Sequence, residues 1–217
     1  AENVGARLQV AGRDFDWQID GDTWSWQGRN HNLDELALPA LAGQHQVSNA
    51  AAVLALLEAS GHDDILTADL VSTALRSVHL DGRIQEIDND TRWIVDVAHN
   101  PAAAEVLAAE LAEQPVSGQT IAIVGMLDDK DVEGVVTDLQ PHVDQWLAVA
   151  ADSHRAISAE ELARRVANVT GSGCLVGDSL ESVLERAEEI AGANDRVLLT
   201  GSFYLVGPAL NQLYSRR

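Results

Sequence analysis

Apolar residues recur along this chain with two different periods, and the change of period divides it. Arg7 to Val10, Phe15 to Ile19 and Trp24 to Gln27 are short apolar–polar stretches separated by Asp, Gly and Arg-Asn turns. That pattern predicts a small antiparallel β unit. After Pro39 the spacing lengthens: Gln46 to Ser60 predicts a helix closed by Gly61, and Thr67 is placed to cap a second helix reaching Val78. From Leu80 onward short apolar runs alternate with amphipathic ones. Strands are predicted at 84–88, 92–97, 120–125, 145–150, 173–176 and 196–200, and helices at 101–113, 131–140, 159–168, 179–191 and 203–214. Asn100-Pro101 reads as an N-cap followed by proline at the first helical position, where its missing N–H costs nothing. Ser158 with Glu161, and Asp178 with Glu181, are expected capping boxes. Strands separated by crossover helices imply a mostly parallel sheet covered on both faces. The fold class is therefore α/β. A Rossmann-like domain is expected over 80–217, preceded over 1–79 by the end of another domain, β-rich and then helical.

Composition narrows what such a fold serves. The chain has 217 residues and a formal net charge of −20, which argues against nucleic acid or an anionic membrane surface as partner. It also requires any anion site to be locally basic. No apolar run approaches the roughly 18–20 residues of a membrane helix. The single cysteine, Cys174, excludes an intramolecular disulfide; it is expected to be a buried structural thiol in a reducing, cytoplasmic protein. Lys130 is the only lysine, so no Gly-Lys phosphate-binding loop exists in this sequence. The first residue is Ala1 rather than methionine, and with the missing loop this leads us to expect a piece of a longer polypeptide.

The candidate chemistry lies on the turns after the predicted strands, where open α/β sheets place their ligands. Asp96 and His99 sit on the turn into the helix at 101–113. A carboxylate there accepts hydrogen bonds from ribose hydroxyls, and an imidazole stacks on or bonds to a nucleotide. Spacing alone equally allows a capping acid and a surface histidine. Lys130 follows the strand ending at Gly125 and suits a carboxylate or a phosphate, unless Asp128, Asp129 and Asp131 simply neutralise it. Arg83, in Leu80-Asp81-Gly82-Arg83, stands at the domain hinge, either to pair with phosphate or as a surface arginine after a glycine turn. Asn49 offers donor and acceptor to an adenine edge, or belongs to a helix cap or first turn. Ser202, in Thr200-Gly201-Ser202-Phe203-Tyr204, opens a helix whose free N–H groups suit an anion, although such turns also merely reverse the chain. Arg155, in Asp152-Ser153-His154-Arg155, adds a cation after the fourth strand of this series. The seven histidines show no metal-ligand spacing, and no G-x-S-x-G elbow marks a serine hydrolase.

Taken in order, these segments form one series: Gln44-His45-Gln46…Asn49-Ala50-Ala51, Asp81-Gly82-Arg83, Asp96-Val97-Ala98-His99-Asn100-Pro101, Val124-Gly125-Met126-Leu127-Asp128-Asp129-Lys130-Asp131 and Thr200-Gly201-Ser202-Phe203. From about residue 36 to the end, the series resembles the carboxy-terminal half of the bacterial dihydrofolate synthase/folylpolyglutamate synthase family, within the Mur ligase superfamily. Many relatives have glycine where Val97 stands, while the bifunctional bacterial branch tolerates valine. The resemblance implies a cytoplasmic, monomeric, ATP-dependent ligase that phosphorylates dihydropteroate, or a folate's terminal glutamate, and couples L-glutamate through the acyl phosphate. It implies that Asn49 touches adenine, Arg83 the ATP phosphates and Asp96 the ribose, with His99 beside the nucleotide. It places Lys130, Arg155 and Ser202 on the glutamate side. The Mg2+ ligands and the phosphate loop are expected in a part preceding residue 1, residues 1–79 being the remnant of that ATPase domain. Residues 1–217 alone are then expected to bind ATP weakly and not to ligate. A Mur-type ligase acting on a peptidoglycan precursor, and a free-standing nucleotide- or amino-acid-binding module, are the competing classes.

Overall fold

A computed structural model describes residues 5–41, 43, 45–88 and 90–215; Gln44 of the first motif lies outside the described residues. The chain forms two compact units, one up to Leu80 and the other from Asp81 onward.

In the first unit, three antiparallel strands, β1 (Asp16–Asp20), β2 (Thr23–Gln27) and β3 (Asn32–Ala37), are joined in the order β1-β2-β3. Trp24 and Trp26 project from the same face of β2, two residues apart, and are buried with Leu33, Leu36, Val47, Ala51, Leu54, Leu66 and Val71. Both indole N–H groups donate to carbonyls, Trp24 to Ala37 at 2.9 Å and Trp26 to Ala51 at 3.1 Å. Burial therefore leaves neither unpaired. The covering helices are α1 (His45–Ala59) and α2 (Ala68–Ser77). α1 ends as expected: Gly61 takes φ 79°, and His62 and Gly61 donate to Leu57 and Glu58. Thr67 caps α2 through Leu70 N–H. Two expectations fail here. Arg7 to Val10 forms no strand, whereas Asn32–Ala37, which was not expected, does. A register shift opposite Trp24 and Trp26, with Glu35 at φ 54°, spaces the buried Leu33 and Leu36 three apart, so the period of two is lost.

The second unit is a six-stranded sheet of β4 (Gln85–Asp88), β5 (Arg92–Val95), β6 (Thr120–Val124), β7 (Gln145–Ala148), β8 (Cys174–Val176) and β9 (Arg196–Thr200). Their order is β4-β5-β9-β6-β7-β8; only β4 runs antiparallel to its neighbour. Helices α3 (Pro101–Glu113), α4 (Val132–Leu139) and α5 (Ala159–Thr170) cover one face, packing on Ile94, Ala122, Val124, Trp146 and Leu198. Helices α6 (Leu180–Ile190) and α7 (Phe203–Ser215) cover the other, on Trp93, Val95, Ile121, Ile123, Val197 and Leu199. Successive residues of one strand thus serve opposite cores, which is why β5, β6 and β9 read as unbroken apolar runs. Burying each such side chain contributes about 1.5–3 kcal/mol.

The caps set where the turns begin. Asn100 accepts from Ala103 N–H at 3.0 Å ahead of Pro101, and Asp131 caps α4 through Gly134 N–H. Ser158 caps α5, but the Glu161 side chain turns away to Arg164 and Arg165 instead of completing a box. The cap of α6 is Ser179, reciprocated by Ser182, not Asp178 with Glu181. A serine pair one residue later satisfies both amide ends, so Asp178 is left outside. Cys174 is only half-buried because β8 is an edge strand; burial still pushes its thiol up to about 11.

Candidate functional site

All the candidates in the second unit follow the carboxyl ends of parallel strands or pack against those turns. The last strand in sequence, β9, lies between β5 and β6, so the turns after these three strands are neighbours. Asp96 N–H donates to Leu199 O at 3.0 Å, Gly125 N–H to Thr200 O at 3.3 Å, and the Thr200 hydroxyl to Ala98 O at 3.4 Å. Gly201 takes φ +115°, and a Cβ there would stand 2.8 Å from Gly125 O. No side chain fits between these two turns.

Asp96 is 7% exposed and its carboxylate is engaged with the backbone. Oδ2 accepts from Ile84 N–H at 2.9 Å and Oδ1 from Ala98 N–H at 2.7 Å. Val97 N–H adds a bond to Gly82 O at 3.0 Å. Two residues of the clamped turn are left-handed, Gly82 at φ 70° and Ile84 at φ 45°. A Cβ on Gly82 would lie 2.9 Å from both Val97 and Val206. Arg83 sits between them, fixed by its neighbours rather than by its own backbone. Its guanidinium lies over the Phe203 ring, 5.4 Å from the centroid. His99 approaches the same ring at 6.1 Å, and its Nδ1 is 2.8 Å from Val97 O, so that nitrogen is the donor to the carbonyl. Arg83, His99 and Phe203 thus form one cluster above the Asp96 clamp. Phe203, quoted in the sequence motif without a role, was missed; its one signal was an aromatic side chain directly after the Gly-Ser turn.

A second cluster forms where the turns after β6 and β7 are laced together. Asp128 N–H donates to Arg155 O at 2.9 Å, Ile157 N–H to Met126 O at 3.0 Å, and Leu127 bridges Ala156. Lys130 Nζ is thereby brought within 3.0 Å of Asp129 Oδ2, and Arg155 Nη1 within 3.8 Å of Asp129 Oδ1. One carboxylate sits between the two cations, and the Lys130 hydrogen bond holds its acid below the usual range. Neutralisation by Asp129 is therefore real, while Asp128 turns to Arg165 and Asp131 caps α4. Ser202 is 4% exposed; its carbonyl accepts from Leu205 and Val206, and its hydroxyl from Tyr204 N–H at 3.1 Å. It serves as the cap of α7.

In the first unit, Asn49 is exposed in the second turn of α1, not at its cap or first turn, and donates to Gln46 Oε1 at 3.1 Å. That residue's amide is 2.9 Å from His45 Nε2. An open cleft of about 340 Å³ in the same unit is bordered by Arg13, Asp14, Phe15 and Arg29, with both arginines paired to Asp14. It contains none of the candidates. Among the described residues no group of three or more His, Cys, Asp or Glu side chains could hold a metal ion, and no helix is long and apolar enough to cross a membrane.

A mostly parallel sheet whose carboxyl edge carries an arginine–aromatic–histidine cluster and a lysine–arginine pair defines an α/β domain of the kind that places ligand contacts on those turns. Residues 82–203 match the family described as Mur ligase, glutamate ligase domain, and the chain belongs to the Mur ligases. The dihydrofolate synthase/folylpolyglutamate synthase of Escherichia coli K12 is 32% identical over 217 residues, all of this chain and 49% of that protein. The structure of E. coli FolC in complex with DHPP and ADP superposes with a TM-score of 0.82 at 33% identity, covering 98% of this chain and 49% of its own. A bifunctional folylpolyglutamate synthase/dihydrofolate synthase with Mn, AMPPNP and L-glutamate bound gives 0.81 at 30% identity, over 98% and 49%. The chain spans about half the length of the curated relatives it matches.

Proposed function

We propose that this chain is part of an ATP-dependent ligase that joins L-glutamate to dihydropteroate, to the terminal glutamate of folates, or to both. The observation that carries the reading is the pair of cationic clusters on one sheet edge of a chain whose net charge is −20. Basic groups gathered on one sheet edge of so acidic a protein mark where anions bind. The relatives whose structures hold ADP, AMPPNP, Mn or L-glutamate support the same assignment.

In this reaction the terminal phosphate of ATP passes to the acceptor carboxylate, giving an acyl phosphate and ADP. The glutamate amine then attacks the acyl carbon, forming the amide and expelling phosphate. Protein groups contribute by positioning and by neutralising charge. Arg83, held in the clamped turn, presents its guanidinium to phosphate. Asp96, whose oxygens accept backbone N–H groups, stands where a ribose hydroxyl is received. His99 lies against the nucleoside, and Asn49 reads adenine. Lys130 and Arg155 receive a glutamate carboxylate in place of Asp129, and Ser202 opens the helix beside them. Among the described residues no cluster of three or more His, Cys, Asp or Glu side chains offers a ligand set for Mg2+. Lacking a Gly-Lys loop, residues 1–217 alone do not ligate.

The test uses steady-state ligation by the full-length polypeptide. Arg83→Ala is expected to raise KM for ATP and leave KM for glutamate, and Lys130→Ala to do the reverse. Interchanged or absent effects would overturn the assignment. Equilibrium dialysis of residues 1–217 against ATP and glutamate is expected to show weak binding. Tight, partner-independent binding would instead indicate a self-sufficient binding module.

A further inference from the structure

The two cationic clusters differ in what holds them. Lys130 and Arg155 are held by a carboxylate, so an incoming anion must displace Asp129 before it gains either charge. Arg83 makes no hydrogen bond or ion pair among the described residues, and its contact is with the face of an aromatic ring. In a chain with 34 acidic residues, an arginine steadied by a ring rather than a carboxylate is a choice with chemical consequences. A carboxylate partner would occupy the guanidinium's donors and cancel its charge. A ring engages only the flat face and leaves the five in-plane N–H donors free.

Both ends of this contact are fixed from below. The turn bearing Arg83 is locked by the Asp96 carboxylate and by the Val97-to-Gly82 bond. Phe203 opens α7 directly after the capping Ser202 and Gly201, which packs so closely on Gly125 that no Cβ fits between them. The ring remains 55% exposed, with the His99 imidazole at 6.1 Å. An arginine side chain otherwise loses considerable rotamer freedom when it grips an anion; one already resting on a ring has lost part of it beforehand.

We propose that Phe203 is a positioning residue for the nucleotide site, its ring holding the Arg83 guanidinium as an unpaired, preorganised cation for a phosphate group. The inference rests on the nucleotide reading of Arg83 given above and extends it to a side chain that touches the nucleotide only through another. It requires a π face, not merely an apolar side chain.

The experiment compares Phe203→Leu, Phe203→Ala, Phe203→Tyr and Arg83→Ala in the full-length ligase, with KM for ATP, KM for glutamate and kcat measured for each. Phe203→Leu and Phe203→Ala are expected to raise KM for ATP about two- to fivefold, the factor belonging to an exposed cation–π contact. KM for glutamate and kcat should stay within a factor of two, and Phe203→Tyr should restore the ATP value. NMR of the same proteins, without nucleotide, should show the ring-current shift of the His99 imidazole protons lost in the leucine variant and kept in the tyrosine one. If Arg83→Ala raises KM for ATP while Phe203→Leu does not, the positioning role is overturned and the nucleotide reading stands. If Arg83→Ala leaves KM for ATP unchanged, the nucleotide reading falls, and this inference with it. A leucine variant that lowers kcat and raises both KM values together would mean a merely structural ring, which also overturns it.

Discussion

Substituting Asp96 separates a residue that contacts ligand from one that builds the place where ligand sits. Its two oxygens accept Ile84 N–H and Ala98 N–H at 2.9 and 2.7 Å in a site only 7% exposed. Each charge-assisted bond of this kind is worth about 1.5–3 kcal/mol. The Ile84 bond also restrains a β-branched residue at φ 45°, a conformation that costs roughly 1–2 kcal/mol and relaxes once released. Part of the loss is recovered through that relaxation and through water reaching the exposed side. Asp96→Ala is therefore expected to destabilise the second unit by about 3 kcal/mol, a fall in Tm of roughly 10 °C at that size. Asp96→Asn, with one acceptor oxygen and an NH2 facing an N–H, should lose about 2 kcal/mol. The assay is thermal unfolding without nucleotide, together with hydrogen exchange at the Ile84 and Ala98 amides. Protection of both amides should fall with stability, before any ligand is added. If Asp96→Asn keeps both amides protected and Tm within a degree while losing only nucleotide affinity, the clamp argument is refuted.

Arg196 offers a second stability test: it is 3% exposed and donates to Thr120 Oγ1, Gln114 O and Leu111 O, closing the carboxyl end of α3. Arg196→Ala should cost about 3 kcal/mol in denaturant unfolding, since it strands buried carbonyls, and Arg196→Lys should not restore it because one ammonium cannot span all three. Cys174, with its thiol at about 11, should react with iodoacetamide at pH 8 roughly a hundredfold more slowly than a free cysteine, its thiolate fraction being that much smaller; labelling at the free-cysteine rate would contradict its half-buried setting. Glu161, lowered to about 2 by hydrogen bonds from Arg164 and then Arg165, has a folded-state value below its unfolded one. Its contribution is thus present above the ordinary value of 4.5 and lost as pH falls toward 2. An NMR titration should place its carboxyl midpoint near 2; a midpoint near 4.5 would show that the arginine pair is not formed in solution.

The second unit was readable because its core strands are buried on both faces and appear as plain apolar runs, and because Asn100-Pro101 and Ser158 announce their helices. β3 was not, because a bulge placed Leu33 and Leu36 three apart, an interval that breaks the strand period of two. Asp178 was preferred to Ser179 as a cap because a serine–serine box has a weaker sequence signature than an acid followed by glutamate. At the candidate site, the turns that carry the proposed residues were legible while the partners of those side chains were not. Nothing local tells that Asp96 is clamped to Ile84, twelve residues away. Nor does it tell that Phe203 lies under Arg83 rather than in the core. These pairings follow from strand order, which brings the turn after β9 beside the turn after β5, and strand order is not a property of any short segment.

That strand order bears on how the protein is made. On the ribosome, β5 and β6 emerge well before β9, the strand that must separate them. Until Arg196 to Thr200 has left the exit tunnel, both carry an unpaired edge, and pairing with each other would be a non-native register. A nascent chain halted before Arg196 lacks the central strand of its sheet, whereas one halted after α7 begins has every strand it needs. The last strand of this sheet to be synthesised thus delivers its middle, together with the turn that carries Ser202 and Phe203 to the candidate site.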